Sequence, residues 1–447
     1  MKKINLLILV AIIFTFSYCT EQNLFEQEEN VNLQQDDTLT ELNKVNVREV
    51  DIEEARQELE IFLSEFDNSN SISKSNEIRK ISSEFTLISK TNLSKSNCPN
   101  DDQKIAVHVF NFENNKGFAL MSATTATPPL LALTESGNID TIQEIENPGL
   151  IIVLENIEKY LRFANDSTIN DSSQIDNERS NTISKRMVTL HEFDFYTPKT
   201  GYCTVHWHQD APYNQYCHNN NFGETFVGCV PVAVAQLLST YRFPKTYNNY
   251  EFDWNKMISD NKDPNIARLM QQLGIPRNLN VKYGDKSKRE GSSSSINNIP
   301  RTLKNLGFKN GGNVVAYDTD KVIEQLKQKK CVIVAGHAHK TNSKTFLGIR
   351  IKKPSYEFGH DWLIHGAMLR RNYQKSTHST KKTFKGTDTY VLCNFGWENT
   401  SSDGYYLSGI FDTNQQVEYT PNQLSKKNTE QDYNYQYNLR ILINVER

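Results

Sequence analysis

Val227-Gly228-Cys229-Val230-Pro231-Val232-Ala233-Val234-Ala235-Gln236-Leu237-Leu238-Ser239-Thr240-Tyr241 places one thiol at the head of a run broken only by Gln236, Ser239 and Thr240. A run of this length and apolarity suits a buried helix, and Pro231 is tolerated in a first helical turn. The thiol then sits at the helix N-terminus, where the backbone dipole and free N–H groups favour a thiolate. A core cysteine on an apolar helix has the same pattern, and one helix does not choose between the two.

A thiolate nucleophile needs an imidazole to hold the ion pair and to protonate the leaving amine. Of the ten histidines, His360 opens Gly359-His360-Asp361-Trp362-Leu363-Ile364-His365-Gly366, an apolar run that reads as a strand entering the core. Counting from 229 to 360, it lies 131 residues after the cysteine, within the separation of about 130 to 150 typical of papain-like enzymes. Downstream, Cys393-Asn394-Phe395-Gly396-Trp397 offers an amide to orient the imidazole and an indole to shield the pair from water. Upstream, Trp207-His208-Gln209-Asp210 places Gln209 twenty residues before the thiol, where a side-chain N–H donor for the developing oxyanion is needed. Taken singly, Gln209 and Asn394 are ordinary surface or turn amides. The joint order Gln, Cys, His, Asn is much harder to obtain by chance.

Through Trp207–Asn214, Val227–Pro244, the strand Val332–Gly336, Gly359–Gly366, Asn394–Trp397 and Tyr435–Asn438, the chain resembles the C10 cysteine peptidases. This is the streptopain family, with members in Bacteroides-type bacteria, and the resemblance covers residues 187 to 447. It implies a papain-like α+β catalytic domain, with a helix-rich part and an antiparallel sheet. The residues before it, especially Gly117–Ala123 and Pro129–Ala132, are similar to that family's inhibitory propeptide. By motif position the resemblance implies Cys229 as nucleophile, His360 as general base, Gln209 as oxyanion donor and Trp397 as the active-site indole, with Asn394 as the orienting residue. The chain departs from the family text where Asp361 and His365 replace an alanine and an aspartate, and where Glu398-Asn399 replace two glycines. Asp361 is expected to add negative charge beside His360 and raise its pKa.

Fifty basic against 53 acidic side chains leave a net charge of −3, so no basic excess for nucleic acid exists. The one long apolar run, Ile4–Phe16, is too short to span a bilayer. With Lys2 and Lys3 ahead of it and Phe16-Ser17-Tyr18-Cys19 behind, it reads as a signal peptide ending in a lipobox-like cysteine, residues 1–19. The alternative is a plain cleaved signal with an incidental Cys19. Membrane association is expected only through this lipid anchor.

Residues 20–50 read as a flexible acidic tether and 51–164 as a small α+β propeptide domain. That domain comprises an amphipathic helix from Asp51, capped reciprocally by Asp51 and Glu54, a hairpin of Ile105–Phe110 and Gly117–Met121, and a helix from about Leu150 to Phe163. Residues 165–186, poor in apolar side chains, read as a linker. Lys185-Arg186 ends it, and a maturation cut is expected between Asn165 and Thr189. Seven cysteines show no CxxC spacing, which argues against structural zinc, and Cys203 with Cys217 is the pairing to expect in an exported chain. His337 and His339 lack a third ligand in sequence, so neither metal nor cofactor is expected. Gly291–Ser295 lacks the lysine of a P-loop and reads as a mobile loop near the cleft.

These readings converge on an exported cysteine endopeptidase made as a zymogen, acting on protein or peptide substrates and held by its own propeptide in cis. A surface adhesin on a peptidase scaffold is the alternative from another class. An inhibitor acting in trans through the N-terminal unit is a third.

Overall fold

A computed structural model describes residues 47–68, 78–89, 105–142, 144–169, 187–219, 221, 223–288, 290–337, 345–346, 349–350, 359–376, 380–397, 402–412 and 439–447. All lie in one compact unit, Val45–Arg447. The expected lipid site Cys19, the Lys185-Arg186 pair, Cys98, His339, Glu398-Asn399 and Tyr435–Asn438 lie outside the described residues.

The N-terminal part opens with α1 (Ile52–Asn68). Ala55, Leu59, Phe62, Leu63 and Phe66 recur every three or four residues and are all buried, the stripe an amphipathic helix needs. Asp51 Oδ1 accepts from the Glu54 amide at 2.8 Å. The reciprocal half of the expected cap is absent, because the Glu54 carboxylate is taken by Arg48.

Four strands follow as an antiparallel meander: β1 (Ile81–Ser89), β2 (Ile105–Phe112), β3 (Phe118–Ser122) and β4 (Leu130–Thr134). The β2–β3 hairpin is the one read from sequence, turned by Asn114 and Asn115 with positive φ. Helix α2 (Pro148–Ile169) runs further than expected, into the stretch read as linker. Once a helix is nucleated each added residue contributes its own backbone bond, so polar sequence alone does not end it.

The C-terminal part contributes β5 (Met187–Phe195), α3 (Cys229–Tyr241), β6 (Asn310–Ala316), β7 (Val332–His337), β8 (Gly359–Ser376), β9 (Thr383–Asn394), β10 (Gly404–Leu407) and β11 (Arg440–Glu446). The meander and these strands form one eleven-stranded sheet in the order β1-β2-β3-β4-β10-β9-β8-β7-β11-β6, with β5 also pairing β8. The join is β4 against β10, antiparallel, with Ala132, Leu133 and Thr134 opposite Tyr406, Tyr405 and Gly404. Gly404 is required there, since a Cβ would stand 2.5 Å from the Leu133 carbonyl oxygen.

Each strand presents alternate residues to opposite faces. On β8, Trp362 and Ile364 enter a core shared with α1, α2 and the meander, while Leu363 enters a second core built around α3. Their cross-strand partners on β7 divide the same way, Val334 and Val332 against Ile333.

Near that junction, Arg370 of β8 has no exposed side-chain surface. It donates through Nη2 to Glu58 of α1 and lies near Asp388 on β9, while Glu58 also faces His191 Nε2 at 3.1 Å. Burial by itself would raise the Glu58 carboxyl, but the His191 hydrogen bond and the Arg370 charge hold it down at about 2.

The expected Cys203–Cys217 disulfide does not form. Both are buried free thiols; Cys203 Sγ donates to the Val205 carbonyl at 3.6 Å, and Cys217 Sγ accepts from the Tyr283 hydroxyl at 3.8 Å. Burial raises each to about 11, and a buried neutral thiol behaves as a small hydrophobe.

Candidate active site

Cys229 is the first residue of α3 and is half-buried, whereas Val230 to Ser239 are fully buried. Gly228 takes φ 96° to admit the turn into the helix, with the Ser292 carbonyl oxygen 3.1 Å from where its Cβ would stand. The loop read as mobile is pinned around it. Ser292 Oγ donates to the Phe226 carbonyl at 2.6 Å, Ser294 Oγ donates to that of Leu279 at 2.6 Å, and Ser293 exchanges two backbone bonds with Lys282 at 2.9 Å.

The sulfur receives backbone N–H groups of Asp361, Val230 and Cys229 itself. These favour the thiolate, as expected at a helix N-terminus, but they do not prevail. Burial first, and the Asp361 carboxyl second, push the thiol up to about 12.

Gln209 stands close by, its carbonyl accepting from the Val227 amide at 2.9 Å, two residues before the thiol. Lys286 braces this segment by donating to Asp210 Oδ1 at 2.6 Å and Glu224 Oε1 at 2.8 Å. His208 is engaged locally, its Nδ1 accepting from the Asp210 amide and its ring edge-on to Tyr213.

His360 lies on the opposite face of β8 from Asp361. Its ring stacks on Trp362 at 6.3 Å, stands edge-on to Trp397 at 6.2 Å, and donates from Nε2 to the Phe395 carbonyl at 2.7 Å. The imidazole makes no hydrogen bond to Cys229. Burial lowers it to about 4, so it is neutral at pH 7. Asp361 does not raise it as expected, because adjacent strand residues point to opposite faces.

Asn394 does not orient His360 here. Its Oδ1 accepts from Gln236 Nε2 at 2.8 Å and from the Gly396 amide at 3.0 Å, and its Nδ2 donates to the Val205 carbonyl at 2.9 Å. It ties β9 to α3 and to the segment leading to Gln209.

The structure thus places Gln209 beside the turn into Cys229 and Trp397 beside His360, with no hydrogen bond between thiol and imidazole. Two contributors were missed from sequence. Gln236 bonds both Asn394 and the Trp207 carbonyl, and a lone amide in an apolar helix was the signal for it. Asp403 accepts from the Phe395 amide at 2.8 Å and faces His206 Nδ1 at 3.3 Å, fixing the peptide whose carbonyl holds His360; its polar surroundings gave no sign.

His365 is also buried, lowered to about 3 by burial and then by the nearby His206, and packed so tightly on Gly201 that a Cβ there would stand 2.1 Å from Nδ1. No cluster of three His, Cys, Asp or Glu side chains suited to a metal occurs among the described residues. Nor is any described helix long and apolar enough to cross a membrane.

Residues 207–406 match the Peptidase C10 family, and residues 46–161 match the Spi protease inhibitor family. Among solved structures, the chain is similar to a prointerpain A fragment of Prevotella intermedia, with 18% identity, TM-score 0.46, and coverage of 80% of this chain and 98% of the other. It is also similar to the active interpain A cysteine protease of that organism, with 21% identity, TM-score 0.33, and coverage of 46% and 85%. No curated protein sequence matches it. The thiol-bearing helix, the histidine strand and the inhibitor-type meander fall inside the two matched segments, and the chain belongs to the C10 cysteine peptidases, with a Spi-type propeptide domain ahead of the peptidase domain.

Proposed function

We propose that the chain is the latent form of an exported cysteine endopeptidase. The observation that carries this reading is Cys229 itself, a half-exposed thiol at the first position of a buried helix, with backbone N–H groups aimed at its sulfur and the histidine-bearing strand against that helix. In the active form the Cys229 thiolate attacks the scissile carbonyl, and Gln209 with the Cys229 amide stabilises the oxyanion. His360 protonates the leaving amine and then activates water for deacylation. Catalysis requires the imidazole to leave the Phe395 carbonyl and reach the thiol. Latency is then the state in which the propeptide domain extends the catalytic sheet and the imidazole is held away.

Activation on this reading is a cut between Asn165 and Thr189, taking the chain from 51.4 kDa to about 29 kDa, at roughly 110 Da per residue over a domain of about 260 residues. Export begins with the signal peptide, residues 1–19, and Cys19 at its end carries the lipid that holds the protein at the bacterial envelope. Stable anchoring of this kind takes more than one acyl chain, so the protein should enter the detergent phase and Cys19→Ser should not.

Casein digestion by the processed protein, with and without a thiol alkylator, tests the peptidase. Digestion that survives Cys229→Ala unchanged would overturn the assignment.

A further inference from the structure

Asp361 is a buried carboxyl that the mechanism above does not use, and it is placed against the nucleophile. Strand alternation puts it on the α3 face of β8: its successor on that face, Leu363, packs in the α3 core, and its cross-strand partner Ala335 packs there too. His360 and Trp362 occupy the opposite face. The Asp361 amide donates to the Cys229 sulfur, which fixes the strand at the thiol. The side chain is 8% exposed, and its Oδ2 has no hydrogen-bond partner.

Among the described residues, the elements around Asp361 present no counter-charge to it. β7 presents Ala335 and Ile333. Arg440 of β11, opposite Ala335, donates to Asn297. On the Gln209 segment His208 is engaged with the Asp210 amide and Asp210 with Lys286. α3 presents Cys229, and its following turns are apolar apart from Gln236, which is bound to Trp207 and Asn394.

We propose that Asp361 is a positioning residue that sets the ionisation of Cys229: once ionised, its carboxylate keeps the thiol neutral, and therefore a slow nucleophile, to higher pH while the chain is latent. The proposal rests on the reading of Cys229 as the nucleophile. Both groups become anionic on losing a proton, the carboxyl is buried and the thiol half-buried, and no cation lies between them among the described residues. Ionisation of either opposes ionisation of the other, and the pair titrates as a unit. Burial alone raises Asp361 to about 8, so the carboxyl ionises before the thiol does, and its charge then opposes the thiolate. The helix N-terminus favours a thiolate, and the carboxyl offsets that preference until the start of β8 moves.

The test is the pH dependence of iodoacetamide labelling at Cys229. It is read by peptide-resolved mass spectrometry on the full-length chain carrying His360→Ala, which keeps the protein from processing itself. Against that background Asp361→Asn and Asp361→Ala should lower the labelling midpoint by a unit or more, making labelling at pH 10, where the wild-type carboxyl is ionised, about tenfold faster. A merely structural role would change the plateau rate and leave the midpoint in place. An unchanged midpoint in both folded variants, or one that moves upward, overturns the proposal. The readout needs no peptidase activity, so inert wild-type protein on casein would sink the peptidase reading while leaving this result to stand or fall separately.

Discussion

Two of the places where β8 carries buried titratable groups are kept in opposite states. At its start, His360 is lowered to about 4 and Asp361 raised to about 8, both by burial, so both are neutral at pH 7, as is Cys229 beside them. Nine residues beyond Asp361, Arg370 meets Glu58, which is held ionised at about 2 by His191 and Arg370. Burial acts on every one of these groups; only Glu58 and Arg370 have a partner of opposite charge. The difference teaches that the propeptide domain meets the peptidase domain through an ion pair, while the groups at the candidate site stay neutral for lack of one. An active cysteine peptidase needs the reverse in the cleft, a thiolate beside an imidazolium.

The largest expected effect comes from removing the cleft chemistry. Cys229→Ala and His360→Ala should each lower casein hydrolysis by roughly a thousandfold or more, since members of a catalytic unit fail together. Purified Cys229→Ala should stay full-length if the chain processes itself. His365→Ala, on a residue packed against Gly201, should retain activity within about tenfold in protein that folds. A dead His365→Ala with an active His360→Ala would show that the wrong histidine was chosen.

Breaking the junction comes next. Arg370→Met leaves the Glu58 carboxylate without its guanidinium, and removing one partner of a buried ion pair costs about 3–5 kcal/mol. Urea unfolding of the full-length chain should show this loss, and conversion to the short form should start earlier. Pairing Arg370→Met with Glu58→Leu should cost less than the two single changes added, because neither charge is then stranded. Strict additivity would mean that the ion pair does not fasten the propeptide.

Acid separates the two places by pH. The His360 and His365 rings are lowered from 6.5, so the stability they contribute is full above pH 6.5 and is lost as pH falls towards about 4 and 3. Glu58 is lowered from 4.5, so its contribution persists to pH 4.5 and is lost only below that, towards about 2. Asp361 runs the other way: raised from 3.8, its contribution is complete below pH 3.8 and is lost as pH rises through about 8. Melting temperatures of the full-length chain should therefore fall less between pH 6.5 and 4.5 in His360→Gln than in the wild type. The gap between wild type and Glu58→Gln should stay constant over that range and close below it. A gap that closes above pH 5 would place the Glu58 carboxyl outside the ionic cluster.

Much of this was legible in the chain. The stripe Ala55, Leu59, Phe62, Leu63, Phe66 gave α1, the Asn114–Gly117 punctuation gave the hairpin, and the apolar run after Cys229 gave α3, because each pattern is local and its period is fixed by backbone geometry. What stayed hidden depends on contacts between distant residues. Nothing in Arg370 or Glu58, 312 positions apart, announces their pairing. That β4 would continue the sheet through β10 is likewise invisible in either four- or five-residue run. The candidate site could be written from the sequence as a set of residues and not as an arrangement. Gln209, Cys229, His360 and Asn394 could be ordered by spacing, but the face that His360 presents is set by the register of β8 against β7. The amide of Asn394 is taken up by Gln236, a residue whose polarity in an apolar helix was visible while its partner was not.

The smallest effect concerns how α1 reaches the junction at all. Asp51 caps the helix through the Glu54 amide, and Glu58 lies two turns further along the same helix. Replacing a capping side chain with Ala typically costs about 1 kcal/mol. Asp51→Ala should lower the urea midpoint of the full-length chain by that amount and leave the processed catalytic part unaffected, since the helix is not in it. Because α1 carries the carboxylate that meets Arg370, the same variant should also begin conversion slightly sooner than the wild type, and by less than Arg370→Met does. If Asp51→Ala weakens the full-length chain but leaves the onset of conversion unchanged, then the α1 helix contributes to folding of the propeptide domain without governing its release, and the junction's hold must lie in the β4–β10 pairing instead.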